Sequence, residues 1–339
     1  MDLTQKTNSF EFWPSWTIQL PMFFFGTYWA IRLRSLSFFA AVNPALENGG
    51  LFYYSKFNSL QRVNPKNIPS SILLSPPHRE EEIRNKVEAA GIKLPFIIKP
   101  DIGERGRGVA VIDSFSDLRS YLNAFNQEAL IIQDLITKQE EYGVFLIRNR
   151  SSGKFKITSI TQKIPLQVMG DGVSTIIQLA KKHPRVKRYL DQIQKQIWQV
   201  IPSKGEIYRL SIKGNHCKGA TFVDRRDLIC EKTEAAFSIV CKDFTGFNYG
   251  RLDLKVDTED ELKNPDAILL LEINGANSEP IHMYDSKFSY RRALIEISSY
   301  FNLMAQLAKE NTMAASPKPT IKNLYLNFKE YRKLINGNS

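Results

Sequence analysis

Gly250-Arg251-Leu252-Asp253-Leu254-Lys255-Val256 and Ile268-Leu269-Leu270-Leu271-Glu272-Ile273-Asn274 decide the reading of this chain. Both runs are short, apolar-rich and strand-like. Residues two apart on a strand share a face. Arg251 and Asp253 therefore project together with Leu252 and Leu254 behind them, and Glu272 and Asn274 project together with Leu271 and Ile273 behind. If the strands are neighbours, one face carries two carboxylates, an amide oxygen and a guanidinium. Hard oxygen ligands beside a phosphate-matching fork suit Mg²⁺ holding a nucleoside triphosphate. The solvated face of an ordinary antiparallel pair would read the same way, so the rest of the chain has to choose between the two.

Upstream, Pro95-Phe96-Ile97-Ile98-Lys99-Pro100 is an apolar run ending in Lys-Pro. Asp101-Ile102-Gly103-Glu104-Arg105-Gly106-Arg107-Gly108-Val109 follows, and then a second strand-like run to Ile112. Gly103, Gly106 and Gly108 allow backbone amides to wrap phosphate oxygens, since φ > 0 costs glycine little. Lys99 at the strand end reaches the same phosphates as a point charge. A hairpin turn explains the glycines equally well when they are taken alone. The loop is no P-loop, because no G-x-x-x-x-G-K-[ST] run is present. It is no dinucleotide fingerprint either, because the spacing is G-x-x-G-x-G and a strand follows. The kinase reading fails for want of a His-Arg-Asp loop downstream.

Lys-Pro, the G-x-x-G-x-G-V loop, then Arg-x-Asp and Glu-x-Asn, in this order, resemble the ATP-grasp superfamily of carboxylate–amine ligases. The last two motifs resemble those of D-alanine–D-alanine ligases. The stretch Pro165-Leu166-Gln167-Val168-Met169-Gly170-Asp171-Gly172-Val173-Ser174-Thr175-Ile176 resembles the cyanophycin synthetase and glutamate-ligase branch. The resemblance spans roughly residues 55–307 and implies an α+β ATP-grasp fold, with ATP between two α+β subdomains. By the same resemblance, Lys56 and Lys99 are the two ATP-contacting lysines. Gln133, Asp134 and Leu135 lie in the hinge that pairs with adenine, where Asp134 stands in place of the family's usual Glu. Glu141, with Glu140 as its neighbouring candidate, takes the ribose hydroxyls. Asn215 sits in a phosphate-side loop, Asp253, Glu272 and Asn274 hold Mg²⁺ (Mn²⁺ being the alternative ion), and Arg251 steadies the transferred phosphoryl group. The implied reaction is ADP-forming: a carboxylate becomes an acyl phosphate and an amine of amino-acid or peptide type attacks it. Two other readings stay open: a phosphotransferase on the same fold, and a non-catalytic protein that binds an anionic membrane or nucleic acid.

The chain has 339 residues, of which 43% are hydrophobic and 24% charged, which excludes the disordered and membrane-embedded classes. Its formal net charge of +11 favours anionic partners, although no specific nucleic acid is expected. Lys181, Lys182, Arg185, Lys187 and Arg188 form one basic cluster, read either as a solvated helix face or as a contact for an anionic partner. Past Ser316, five basic side chains face one carboxylate, Glu330. Cys217, Cys230 and Cys241 are odd in number and lack C-x-x-C spacing, so neither a disulfide frame nor a zinc site is expected, and the compartment read from them is the reducing cytoplasm. His282 is read either as lining the substrate pocket or as part of a structural loop. A homodimer is compatible with the sequence.

Four segments are expected. Residues 1–54 are aromatic and apolar. Arg32 and Arg34 interrupt their apolar run short of the roughly 20 residues a membrane span needs. Residues 10–42 therefore either pack on the body or lie in a membrane interface, at the inner face of the membrane. They leave little room for the substrate domain that opens most family members. Residues 55–135 form a smaller α+β part, with a helix at 116–125 marked by Leu118, Tyr121, Leu122 and Phe125. Residues 136–311 form a larger part. There, Ser174 is expected to cap a helix to Lys182, Val186–Gln199 to be helical, and Arg291–Lys309 to be an amphipathic closing helix. Residues 312–339 are a linker and a basic terminal helix.

Overall fold

The computed structural model describes residues 9–104, 106–149, 151–193, 195–211, 219–313 and 320–336. Helix α1 (Trp16–Arg32) comes first and packs on α8 (Tyr290–Met313). Ile18, Met22 and Phe25 of α1 share one apolar cluster with Phe288, Ile297 and Phe301. Pro21 lies inside α1 and has no N–H to give the Thr17 carbonyl. That carbonyl accepts instead from the Tyr290 hydroxyl at 2.7 Å, so the defect itself joins α1 to α8.

Residues 33–55 are irregular but tightly held. Asn43 is fully buried. Its amide donates to Gly49 O (3.1 Å) and Tyr249 O (2.7 Å), and its oxygen accepts from Asn248 N (2.8 Å) and Tyr249 N (2.9 Å). This one side chain splices the N-terminal segment onto the strand that carries Arg251 and Asp253.

The smaller sheet holds β1 (Ser71–Leu74), β2 (Phe96–Pro100), β3 (Ala110–Ile112) and β4 (Leu130–Asp134), in the order β1-β4-β2-β3. Preceding it is α2 (Lys56–Leu60), and α3 (Glu80–Ala89) and α4 (Phe115–Ala124) cover one face. Ile83 and Val87 of α3 and Leu118 and Leu122 of α4 pack on Phe96, Ile98 and Ile132. The helix expected at 116–125 is α4, capped by Ser114, whose hydroxyl accepts from Asp117 N.

The larger sheet runs β11-β10-β5-β6-β9. It contains β5 (Glu140–Arg148), β6 (Phe155–Ile164), β9 (Thr221–Asp224), β10 (Tyr249–Val256) and β11 (Leu269–Asn274). Helix α7 (Glu231–Val240) covers its back, where Phe237 and Val240 meet Val144, Leu252 and Leu254. Helix α8 covers one end of the opposite face through Tyr300 and Met304 against Phe145 and Tyr249. The rest of that face is polar. A side ladder of β7 (Gln167–Met169) and β8 (Ile207–Arg209) adjoins α5 (Ile176–Lys182) and α6 (Pro184–Lys187). Every ladder among the described residues is antiparallel. The fold is α+β: two antiparallel sheets with helices packed on their faces.

Three sequence expectations change here. Thr175, not Ser174, caps α5, because Gln178 stands three residues on and returns a bond from its side chain to Thr175 N (2.8 Å). The Ser174 N–H is taken by the Asp171 carboxylate. Val186–Gln199 is not one helix: α6 has four residues, and short turns at Leu190–Gln192 and Lys195–Ile197 follow. The carbonyls of Trp198 and Val200 accept from the orphan N–H groups of α5 (Ile177 N to Trp198 O, Ile176 N to Val200 O). The basic cluster splits as well. Arg185 is buried against Glu11 at 2.5 Å, while Lys181, Lys182, Lys187 and Arg188 stay exposed.

Asn43→Ala removes four buried hydrogen bonds and takes from the Asn248 and Tyr249 N–H groups the oxygen they share. It is expected to cost on the order of 3 kcal/mol, read as a lower urea midpoint at unchanged slope; a loss below about 0.5 kcal/mol would contradict the splice.

Candidate functional site

Strands β10 and β11 are hydrogen-bonded neighbours, and their register sets Asp253 opposite Glu272 and Arg251 opposite Asn274. The register shifts just after this pair: Asp253 faces Glu272, but Leu254 faces Leu270. Leu271 is thus the extra residue of a β-bulge. Sequence alternation put Leu271 behind the strand, but the bulge puts Leu270 there instead. It also frees the Leu271 carbonyl, which accepts from Lys99 Nζ at 3.1 Å.

Strand β5 lies on the other side of β10, with Gly143 opposite Asp253. A Cβ at Gly143 would sit 2.8 Å from Ile281 Cδ1, 3.1 Å from Arg251 Cδ and 3.3 Å from Asp253 Oδ1. A side chain there would press on Ile281 and crowd the two groups the face displays. On β6, Lys163 pairs across the ladder with Glu141. Its buried amine lies 3.2 Å from Glu141 Oε1 and 3.0 Å from Asp253 Oδ1. Arg251 Nε lies 2.8 Å from the same Asp253 oxygen, and Asn274 Nδ2 donates to Asp253 Oδ2 at 3.2 Å.

Lys56 reaches the pair from α2. The Ser55 hydroxyl caps that helix, accepting from Asn58 N, and donates to Asp101 Oδ1 at 3.0 Å; Asp101 Oδ1 also accepts from Phe57 N at 2.9 Å. The residue after the Lys99-Pro100 strand end thereby fixes where Lys56 starts. Lys56 Nζ then meets Glu272 Oε1 at 2.5 Å.

The charge states follow from these contacts. Burial pushes the Asp253 carboxyl up, but Arg251 and Lys163 outweigh it and hold the group well below the usual carboxylate range. Burial raises Glu272 too, and Lys56 brings it below its ordinary value. Burial lowers the Lys56 amine, while Glu272 carries it above the usual lysine range. Lys99 behaves differently. Burial is the largest influence, Glu272 offsets only part of it, Lys56 adds repulsion, and the amine is pushed down to about 8.

Two adjoining cavities share Lys56, Gly103, Gly106, Lys163, Asp253 and Glu272. One, of about 380 Å³, runs between the two sheets along Lys99, Gln133, Asp134, Leu135, Glu141 and Leu271. The other, of about 350 Å³, runs past Arg251 and Asn274 to Tyr54, Glu279 and the N-terminal residues Phe10, Glu11 and Trp13.

The structure thus gathers nearly all the candidates from sequence around these two spaces. Glu141 lines the first cavity, whereas Glu140 turns away to accept from the Tyr142 hydroxyl at 2.5 Å. Gly108 borders neither cavity. Its φ is +67°, and an added Cβ would meet Pro100 Cδ at 2.7 Å, so its role is to fold the loop back on the strand. Gln133 and Asp134 lie in the paired part of β4, and Asp134 N donates to Ser70 O. Asn215 and Cys217 lie outside the described residues. His282 is fully buried against Phe288 and Tyr300 and borders neither cavity. Lys163, Tyr54 and Lys255 were missed from sequence. Each carries chemistry only through strand pairing or chain crossing, and no spacing signals that.

No cluster of three or more His, Cys, Asp or Glu groups that could hold an ion occurs among the described residues. Two carboxylates and an amide match an ion that takes its other oxygens from phosphates and water, as Mg²⁺ does, rather than from a protein cage. The nucleotide fits as well: Gln133 Nε2 is buried in the first cavity and finds no partner among the described residues, which leaves a donor for a bound base.

No family model matches the chain. Its sequence is similar to the cyanophycin synthetase of Trichormus variabilis, 25% identical over 229 residues that cover 61% of this chain and 24% of that protein. The cyanophycin synthetase of Synechocystis sp. is 23% identical over 222 residues, covering 57% and 24%. The chain thus spans about a quarter of the length of these curated relatives. Among solved structures, the D-alanine–D-alanine ligase of Bacillus anthracis aligns at 13% identity and a TM-score of 0.46, over 79% of this chain and 71% of that one. The sequence similarity agrees with the ATP-grasp ligase resemblance carried by the motifs.

In ¹³C-lysine NMR, the Lys99 Cε resonance, assigned by its loss in Lys99→Met, is expected to titrate near pH 8. Titration near the ordinary 10.5 would contradict the burial described. Gly143→Ala is expected to cost about 1–3 kcal/mol through overpacking, chiefly against Ile281 and then Arg251 and Asp253, measured by urea unfolding.

Proposed function

We propose that the chain is an ATP-dependent, ADP-forming ligase that joins a carboxylate to an amine. The reading is carried chiefly by one observation: a facing carboxylate pair, flanked by buried Lys56 and Lys163 and half-buried Arg251, forms the common wall of two cavities. ATP occupies the cavity between residues 55–135 and 136–311, with its base near Gln133–Leu135 and its ribose near Glu141. The triphosphate runs toward Lys56, Lys99 and Lys163 under the glycine loop. Asp253, Glu272 and Asn274 would hold Mg²⁺, which when bound screens the phosphate charge and orients the γ-phosphoryl group.

The acceptors occupy the second cavity. A carboxylate oxygen attacks the γ-phosphorus, the bond to the β-phosphate oxygen breaks, and ADP leaves. Phosphoryl transfer is mostly positioning and charge stabilisation, so no nucleophilic side chain is needed. Arg251 offsets charge at the transferred group. The amine then attacks the acyl carbon, the acyl–phosphate bond breaks, and inorganic phosphate departs. Glu279, set among the rings of Phe10, Trp13 and Tyr284, gives this cavity a carboxylate suited to an amine-bearing substrate. The glycine loop keeps water from the acyl phosphate.

Screening amino acids and dipeptides for ADP release tests the reading. Asp253→Asn and Glu272→Gln are each expected to lower turnover by about 10²–10³-fold with circular dichroism unchanged. Full turnover in both variants, or no amine-dependent ADP release by the parent chain, would refute it.

A further inference from the structure

Helix α1 is apolar on both faces, yet only one face is covered. Trp16, Leu20, Phe23, Phe24, Tyr28 and Ile31 follow helical spacing down the outer side, and each is between 48% and 70% exposed. A surface helix ordinarily places its polar residues there, and a contiguous exposed patch of this size marks an interaction surface. The only charged residue of α1 is Arg32, at its end. Residues 12–46 contain two arginines, Arg32 and Arg34, and no carboxylate.

A second element extends the patch. Helix α9 (Ile321–Asn336) exposes Ile321, Tyr325 and Phe328 at i, i+4 and i+7. Ile321 meets Ile31, Arg34 and Leu36 around one shallow surface hollow, so the two stripes are continuous. Lys322, Lys329, Arg332 and Lys333 flank the α9 stripe, with Glu330 the one acid on the helix. The other end of the α1 stripe begins at the lip of the second cavity, which Trp13, Ser15 and Thr17 line.

We propose that this surface docks on an anionic lipid bilayer, with α1 lying in the interface plane. The composition favours lipid over a second copy of the chain. Two copies would bring Arg32, Arg34 and the α9 lysines together on molecules that each carry +11, whereas anionic headgroups complement them. Tryptophan and tyrosine beside phenylalanines is a side-chain mixture suited to the headgroup boundary. Among the described residues no helix is long and apolar enough to cross a membrane, so the contact is peripheral. Docked this way, the mouth of the second cavity faces the lipid surface. The inference stands independently of the ligase reading.

Co-sedimentation of the full chain with vesicles of equal parts phosphatidylcholine and phosphatidylglycerol tests it, with pure phosphatidylcholine as comparison. The expected result is binding to the anionic vesicles that weakens as salt rises. Phe23→Glu/Phe24→Glu is expected to weaken it by about tenfold or more, with circular dichroism and melting temperature unchanged because both positions are exposed. Lys329→Glu/Lys333→Glu is expected to weaken binding to anionic vesicles alone. Brominated lipid should quench the parent chain's tryptophan emission more than that of Trp16→Phe. No binding to the anionic vesicles would overturn the proposal. So would equal binding by the Phe23→Glu/Phe24→Glu variant, or a solution dimer that this variant converts to monomer.

Discussion

Two carboxylates set opposite each other across an antiparallel ladder repel, as the buried Asp253 and the half-buried Glu272 do. The rest of the site is arranged around that repulsion. Lys163 arrives from β6, Arg251 from β10 and Lys56 from α2, three cations from three elements. Buried charge persists only where it is paired and hydrogen-bonded. Gly143 makes room for the pair, the bulge at Leu271 brings Lys99 alongside, and the Ser55–Asp101 contact fixes the start of the helix that presents Lys56. Both carboxyls are held below their ordinary values. Their contribution to stability is therefore present above the unfolded carboxylate range, near pH 4, and is lost as acid titrates the folded groups below it.

The same charges that hold the site together without nucleotide equip it for the proposed reaction. In the proposed complex a triphosphate would give Lys56, Lys99 and Lys163 new anionic partners and leave the carboxylates for a divalent ion. The exchange keeps nearly every buried charge paired throughout. Lys99 is poised differently from the other two: burial outweighs the attraction of Glu272 and lowers its amine to about 8, and its hydrogen bonds go to neutral oxygens of Gln133 and Leu271. A phosphate beside it would raise it again.

Much of this was legible in the sequence because strand alternation is a short-range rule. Arg251, Asp253, Glu272 and Asn274 could be assigned to one face from their spacing. The α4 stripe and the closing helix also follow from periodicity. What stayed hidden depends on pairing across long separations. Lys163 is an ordinary lysine until β6 lies beside β5 and Glu141 faces it. The bulge at Leu271 depends on β10, and strict alternation misplaced that residue. The 186–199 stretch read as helical because it is polar and free of breakers, but its carbonyls serve α5 instead. Likewise Arg185 read as part of a basic cluster, and only the fold brings Glu11 to it across 174 residues of sequence.

The N-terminal segment joins both proposals. Asn43 splices it to β10, Phe10, Glu11 and Trp13 wall the second cavity, and the outer face of α1 carries the apolar stripe. The proposed reaction turns on a metal–triphosphate grip by the facing pair. Electron paramagnetic resonance of Mn²⁺ titrated into the protein with and without ATP tests that grip. Tight Mn²⁺ binding that requires ATP and is lost in Glu272→Gln is expected. Tight binding that ignores the nucleotide, or that survives the substitution unchanged, would contradict it.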